Sequence, residues 1–322
     1  MIQLTRRDLL AGTAATTAAL SMGLTPSELR AAAPAAGKQA PGFYRYKVGD
    51  FEVTQIADGA RTFPMPDTFV VNQKKEDALA AAEAAYMPKG QVTIPFNPMV
   101  INTGSKLVVI DTGNGLGAFE QSKGVVGQMN ANMTAAGIDP KNDIVVISHF
   151  HGDHMNGLKK ADGSLVYPSA EIMVPAAEWA FWADEANASK ANGFNKPNFA
   201  NVKKAFDGLA DKVTKFEAGK DIAPGITSIA APGHTPGHVV LFEPNERKVF
   251  VGDCLFAGSI GRTDLPGGSS EQLMDSLFNK IVPLGDDVEV YSGHGPVTTI
   301  GHERRTNPFL TGVYSIGSSG RL

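Results

Sequence analysis

The chain has 322 residues, 43% of them hydrophobic and 19% charged, with 29 Lys and Arg against 33 Asp and Glu for a net charge of −4. This is the composition of one large or two ordinary globular domains, and it excludes a disordered, collagen-like or coiled-coil chain. A mildly acidic chain without a basic cluster is not built for nucleic acid; its one cysteine, Cys254, excludes a disulfide framework and any multi-cysteine metal site.

The first segment reads as an address. Thr5-Arg6-Arg7-Asp8-Leu9-Leu10 leads into an apolar, alanine-rich run to about Leu20, with small residues at 31–36 beyond it. A positive start, a short apolar stretch and a small-residue exit predict a cleaved export signal over residues 1–36. The paired arginines predict the twin-arginine pathway, and hence a periplasmic or secreted protein with no membrane attachment after cleavage. The run is too short and too rich in Ala and Thr to span a bilayer well. The remaining residues, 37–322, are expected to form the functional domain.

Strand patterns then recur at Phe51–Ile56, Pro98–Asn102 and Lys106–Asp111, each closed by residues that break strands. Lys75–Tyr86 and Val125–Ala136 read as helices, the second closed by Gly137. Asp143–Ser148 (DIVVIS) is continuously apolar, the pattern of a strand buried on both faces. Glu171–Pro175 is a predicted strand, followed by helices over Ala176–Glu185 and Phe199–Leu209. Further strands are predicted at Ile226–Ala231, His238–Glu243, Lys248–Gly252 and Asp287–Tyr291, with a helix over Ser270–Ile281. Two strand-rich stretches with helices between and after them suit two packed sheets with helices outside.

The chemistry sits at strand ends. Directly after DIVVIS comes His149-Phe150-His151-Gly152-Asp153-His154. In an extended segment His149 and His151 project to one side, and Gly152 lets the chain bend so that Asp153 and His154 aim at a neighbouring point. Imidazole and carboxylate together suit zinc and other borderline divalent metals. His234 follows ITSIA, Asp253 follows KVFVG and His294 follows VEV, each beside glycine, and each is a candidate ligand. Asp111 ends another strand without an adjacent histidine, so it reads as a carboxylate that orients a ligand. His238 and His302 are expected to be structural, and Cys254 to be a small buried residue, with its thiolate on a metal as the alternative. Trp179, Phe181, Trp182, Phe194 and Phe199 either line a pocket for an aryl or acyl group or pack a helix on the sheet. Arg262 and Asp264 either meet an anionic substrate or pair with each other.

HxHxDH at 149–154, then His234, Asp253 and His294, with the early Asp111, resembles the motif set of the metallo-β-lactamase superfamily, in its order, over about residues 45–310. The resemblance implies an α/β fold, a four-layer αββα sandwich. It implies one metal held by His149, His151 and His234, a second by Asp153, His154 and His294, and Asp253 between them. The implied metals are two divalent ions, Zn2+ first, with Mn2+, Co2+ or Fe2+ open to the same donors. Two such ions roughly 4 Å apart bring a bridging water towards ionisation at neutral pH, so no Ser or Cys nucleophile is needed. Asp153 and Asp253 are then the candidate catalytic carboxylates, Asp153 steering the hydroxide or shuttling a proton.

The branch within the superfamily is divided. INTGSKLVVIDTG, SHFHGDHMNGL, PAAEWAFWAD and PGHTPGH, within residues 45–252, resemble the exported methyl parathion hydrolase and the related lactone and aryl-ester hydrolases. GDCLFAGSIGRTDLPGG and YSGHGPVTTIGHERRTNPFL, within 253–310, resemble the glyoxalase II-like thioesterases, and GRTD is similar to the persulfide dioxygenases. The expected function is a binuclear hydrolase of a lactone, aryl ester or organophosphate. The alternatives are a thioester hydrolase, a mononuclear iron dioxygenase and a metal-stabilised scaffold without activity. The expected partner is a small-molecule substrate, and the resemblance also allows a homodimer.

Overall fold

The computed structural model describes residues 40–312, except 68, 71–73, 140–142 and 192–195; the expected export signal over 1–36 and Phe194 lie outside the described residues. The first half contains strands β1 (Phe43–Val48), β2 (Phe51–Ile56), β3 (Ala60–Pro64), β4 (Gln91–Pro95), β5 (Met99–Asn102), β6 (Leu107–Ile110), β7 (Ile144–Val146), β8 (Glu171–Pro175) and β9 (Val213–Phe216). The second half adds β10 (Asp221–Ala223), β11 (Ile226–Ala230), β12 (Val239–Glu243), β13 (Lys248–Gly252), β14 (Leu255–Phe256), β15 (Ser259–Ile260), β16 (Glu289–Ser292) and β17 (Thr298–Thr299).

Two sheets carry the architecture. One has the order β1-β2-β5-β6-β7-β8-β9, the other β10-β11-β12-β13-β16-β17. In the first, β6, β7, β8 and β9 run parallel; in the second, β13 and β16 do. The continuous apolar run of β7 is explained by its position inside the first sheet, between β6 and β8 and covered on both faces. Val146 and Ile144 face Val108, Leu241 and Phe250 between the sheets, whereas Val145 faces Met129, Met133 and Phe206 on the helical side. A third apolar layer joins Val240, Val249 and Val290 to Leu273, Leu277 and Ile300 of helices outside the second sheet. The result is the four-layer αββα sandwich, and each fully buried Val, Leu or Ile in it contributes roughly 1.5–3 kcal/mol.

Two helices depart from the sequence reading. The one expected from Val125 is confined to Met129–Ala135, because Asp58 Oδ1 accepts the Met129 N–H (2.8 Å) and Gly127 just before it has φ +79°. The one expected over Ser270–Ile281 is α-helical to Ser276, capped by Ser269 Oγ, and widens to a π-turn over Leu277–Ile281 ahead of Pro283. Short or exposed elements were not predicted, among them β1, the antiparallel pair of β3 and β4, and the helices Gly115–Gln121 and Ile300–Thr306. No helix among the described residues is long and apolar enough to cross a membrane.

The topology leaves one edge of the sandwich rich in turns. Parallel pairing brings the C-terminal ends of β6, β7 and β8 to the same edge of their sheet, and those of β11, β13 and β16 meet them there. Asp111, Ser148, the helix Ala176–Ala183, His234, Asp253 and His294 all follow these ends.

Candidate metal centre

Four of these turns, after β7, β11, β13 and β16, bring His149, His151, His154, His234, Asp253 and His294 together, with Asp153 at the solvent side. Ligand atoms of His149, His151 and His234 lie within 4.8 Å of one another, as do those of Asp153, His154 and His294. The structure thus gathers all seven candidate ligands from the sequence. His238 and His302 stand apart from both sets: His238 Nε2 accepts the Asp253 N–H (3.1 Å), and His302 is exposed on a helix.

What turns these rings is hydrogen bonding at Nδ1. His154 Nδ1 meets Asp111 Oδ2 at 2.7 Å, His234 Nδ1 the Arg262 carbonyl at 2.7 Å and His294 Nδ1 the Pro95 carbonyl at 2.7 Å. Carbonyl and carboxylate oxygens only accept, so each Nδ1 carries a proton and each Nε2 is the ligand atom. Ser148 Oγ donates to Asp111 Oδ2 (2.8 Å) and accepts from His149 Nδ1 (3.0 Å), which fixes His149 in the same tautomer. His151 is reversed: its Nδ1 lies 3.1 Å from His149 Nε2 and 2.9 Å from His234 Nε2, while its own Nε2 has no hydrogen-bond partner.

These atoms fit a cation. Burial, with neighbouring imidazoles, pushes His149 and His151 well below the ordinary histidine range and lowers His234. Neutral rings place lone pairs of His149 and His234 on either side of His151 Nδ1, an unfavourable arrangement unless something positive joins them. Ligands on a tetrahedral zinc ion stand roughly 3.3 Å apart, within a few tenths of an ångström of the spacings here. The second set is looser, with Asp153 Oδ2 3.4 Å from His294 Nε2 and 3.7 Å from His154 Nε2. Asp253 joins the two: Oδ2 lies 3.0 Å from His294 Nε2 and 3.6 Å from His234 Nε2, and Oδ1 lies 3.5 Å from His154 Nε2. Burial works against its charge, but His294 and His154 hold the Asp253 carboxyl well below its usual range.

Asp111 serves both sets. Its Oδ1 accepts the Ser148 N–H (2.7 Å), and its Oδ2 orients His154 directly and His149 through Ser148. The residue is held at φ +60°, a left-handed conformation that Asp tolerates better than most side chains. Asp111→Asn removes the charge and can turn a donor towards His154. It is expected to weaken metal binding about 10–100-fold with the fold intact. Chelator competition checks this, and unchanged affinity would remove the orienting role.

Three participants were not read from the sequence. Ser148 was absorbed into a strand, although its hydroxyl relays Asp111 to His149. Asp58 accepts the N–H groups of Asn114 and Met129 and so braces the turn after Asp111. Glu178 is fully buried among the backbone of two ligand loops. A lone acid in an apolar context was the only signal available for the last two.

The substrate-facing candidates go elsewhere. Trp182 is buried and donates Nε1 to Glu178 (2.7 Å), while Trp179 packs on Phe150 and Phe206 beneath the Lys215 ammonium. With Phe199, Val202 and Phe206 they line a cavity of about 570 Å³ on the helical side, whose described lining includes none of the seven candidate ligands. The Arg262 guanidinium pairs with Asp264 (2.6 and 2.7 Å), and it is its backbone carbonyl that reaches the centre, through His234. Cys254 is buried beneath the second sheet, where burial pushes its thiol up. A small cavity of about 10 Å³, near the size of one water, lies between Phe96, Asn97 and Pro98 and the side of Asp153, His154 and His294.

The chain is similar to known proteins in sequence and in fold. A family model described as the metallo-beta-lactamase superfamily matches residues 96–294. A Haemophilus influenzae protein named hydroxyacylglutathione hydrolase GloC is 53% identical over 79 residues, covering 24% of this chain and 37% of that protein. A Bacillus subtilis probable metallo-hydrolase, YqgX, is 40% identical over 104 residues, covering 32% of this chain and 49% of that protein. The chain therefore spans between 37% and 49% of the length of these two relatives. Among solved structures, the hydrolase AbOPH superposes with TM-score 0.68 at 24% identity, over 81% of this chain and 94% of the other. The dizinc quorum-quenching lactonase AidC superposes with TM-score 0.68 at 21% identity, over 80% and 93%. At such identities the likeness is one of fold. The family match spans more than half of the sequence, and the chain belongs to the metallo-β-lactamase superfamily of metal-dependent hydrolases.

Proposed function

We propose that the protein is a binuclear hydrolase that cleaves an ester-like bond in a small molecule: a lactone, an aryl ester or a phosphotriester. The observation that carries this reading is the Asp253 carboxylate lying between two complete donor sets. His149, His151 and His234 would hold one divalent ion, and Asp153, His154 and His294 the other, with Asp253 shared. Bound there, such ions lower the pKa of a shared water towards neutrality and polarise the bond to be cleaved.

The protein's own residues supply position and proton transfer. Asp153 is the most exposed of the seven candidate ligands, its side chain 25% accessible, so its carboxylate can accept a proton from a water at the mouth of the site. Asp111 and Ser148 hold His154 and His149 against rotation. Neither Cys254 nor Ser148 offers a competing nucleophile: the thiol is buried, and the serine hydroxyl is committed to Asp111. The export signal read in residues 1–36 supports periplasmic or secreted action.

A second reading, thioester hydrolysis, draws on the 53% identity of a 79-residue stretch to a protein named hydroxyacylglutathione hydrolase. Metal analysis with turnover of an aryl ester, a lactone, a phosphotriester and a glutathione thioester separates the readings. About two zinc, manganese or cobalt ions per chain with lactone or ester turnover is the expected result. Preference for the thioester would move the protein to the second reading. One iron per chain without hydrolysis would overturn both.

A further inference from the structure

We propose that Glu178 is a positioning residue that locks the loop carrying His149 and His151 to the loop carrying His234, and thereby sets the three-histidine site. The inference rests on the binuclear reading above. Glu178 lies in the first turn of the helix Ala176–Ala183 and is wholly buried. A buried carboxylate is costly unless its oxygens are satisfied, and it adds little stability over an apolar residue of the same size. Its position therefore calls for an account beyond packing.

The hydrogen bonds supply one. Oε1 accepts the backbone N–H of Phe150 at 2.9 Å and the Trp182 Nε1–H at 2.7 Å. Oε2 accepts the backbone N–H of Gly237 at 2.8 Å. Phe150 lies between His149 and His151, and Gly237 lies three residues after His234. One oxygen thus holds each loop, and the rigid carboxylate fixes their separation. The same two loops place His151 Nδ1 2.9 Å from His234 Nε2. Gly237 permits this approach, since a Cβ there would stand 2.0 Å from the Glu178 nitrogen. The other donor set takes His294 from the turn after β16, to which the Glu178 carboxylate does not bond, and its His154 is held from the opposite side by Asp111 (2.7 Å), so its geometry depends less on this carboxylate.

Glu178→Gln keeps the volume and one acceptor oxygen but turns an NH2 towards one of the two loop N–H groups. That loop is released. Cobalt(II) is titrated into metal-free protein against a competing chelator, with H294A and H234A backgrounds isolating the three-histidine site and the Asp153–His154–His294 site respectively. The expected result is a loss of about 10–100-fold in cobalt affinity at the three-histidine site, and wild-type affinity at the other. Equal affinity in E178Q and wild type, or parallel weakening of both sites, overturns the inference. A wild-type chain that takes up no cobalt overturns the binuclear reading and this inference with it. Two ions in wild type and an unaffected E178Q overturn the inference alone.

Hydrogen exchange on metal-free wild type tests the same point without a variant. Both the Phe150 and Gly237 amides are expected to be strongly protected by their bonds to the buried carboxylate. Exchange of either at the rate of an open loop overturns the inference.

Discussion

Asp253→Ala is expected to lower kcat/KM for the best ester substrate on the order of a thousandfold, the several kcal/mol that metal ions supply to such a transition state. It is also expected to take bound metal from two ions per chain to one or none. Asp253 stands within 3.6 Å of Nε2 atoms of both donor sets, His234 on one side and His154 and His294 on the other. Its Oδ1 is buried without a hydrogen-bond partner, which leaves the lone pairs of that oxygen open to a cation. The backbone survives the change, because His238 holds the Asp253 N–H rather than the side chain. Elemental analysis with steady-state kinetics reads both effects. A variant that keeps two ions and remains within tenfold of wild type would remove the bridging role.

The candidate metal centre was legible in the sequence because its seven residues sit at strand ends, where apolar runs stop and Gly or Pro lets the chain turn. DIVVIS followed by HFHGDH marks the end of a central strand and the start of the site in a single stretch. Asp111 was read as an orienting group for the same reason, and its contacts to Ser148 and His154 give that role a geometry. What sequence did not offer was anything carried by backbone or by burial. The Arg262 carbonyl orients His234, yet only its guanidinium attracted notice, and that is spent on Asp264. Trp179 and Trp182 were weighed as pocket or packing, and their rings face the helical side. Glu178 and Asp58 accept N–H groups from residues 28 and 71 positions away, and no local pattern encodes such pairings. The same limit hid β1 and the pair of β3 and β4, whose exposed faces lack the apolar continuity of β7.

The two donor sets are expected to load metal with opposite sensitivity to pH. In the metal-free protein burial keeps His149, His151 and His234 below the ordinary histidine range, so at neutral pH these rings are already unprotonated. Burial also opposes charge on His154 and His294, but there the carboxylates prevail. Asp253, Asp111 and Asp153 hold His154 well above the usual value, and Asp253 with Asp153 holds His294 up to about 9. Each of these two rings must give up a proton from Nε2 before that atom can bind a metal. Metal and proton compete for the same lone pair, so affinity at the Asp153–His154–His294 site falls as pH falls below about 9. The slope approaches tenfold per pH unit for each proton displaced. An ion already bound at the three histidines repels those protons and makes the slope shallower than two protons would give. The three-histidine site, by contrast, is expected to vary little between about pH 6.5 and 8, where its rings carry no proton to displace. It therefore fills first, and a one-metal form accumulates on the acid side. Calorimetric titration of zinc in two buffers of different ionisation enthalpy counts the protons released: about none with the first ion, and between one and two with the second. Equal affinity for the second ion at pH 6 and pH 8, with no proton released, would mean that His154 and His294 are neutral in the metal-free protein. If hydrolysis requires both ions, its acid limb follows this second loading step, and added metal shifts that limb to lower pH.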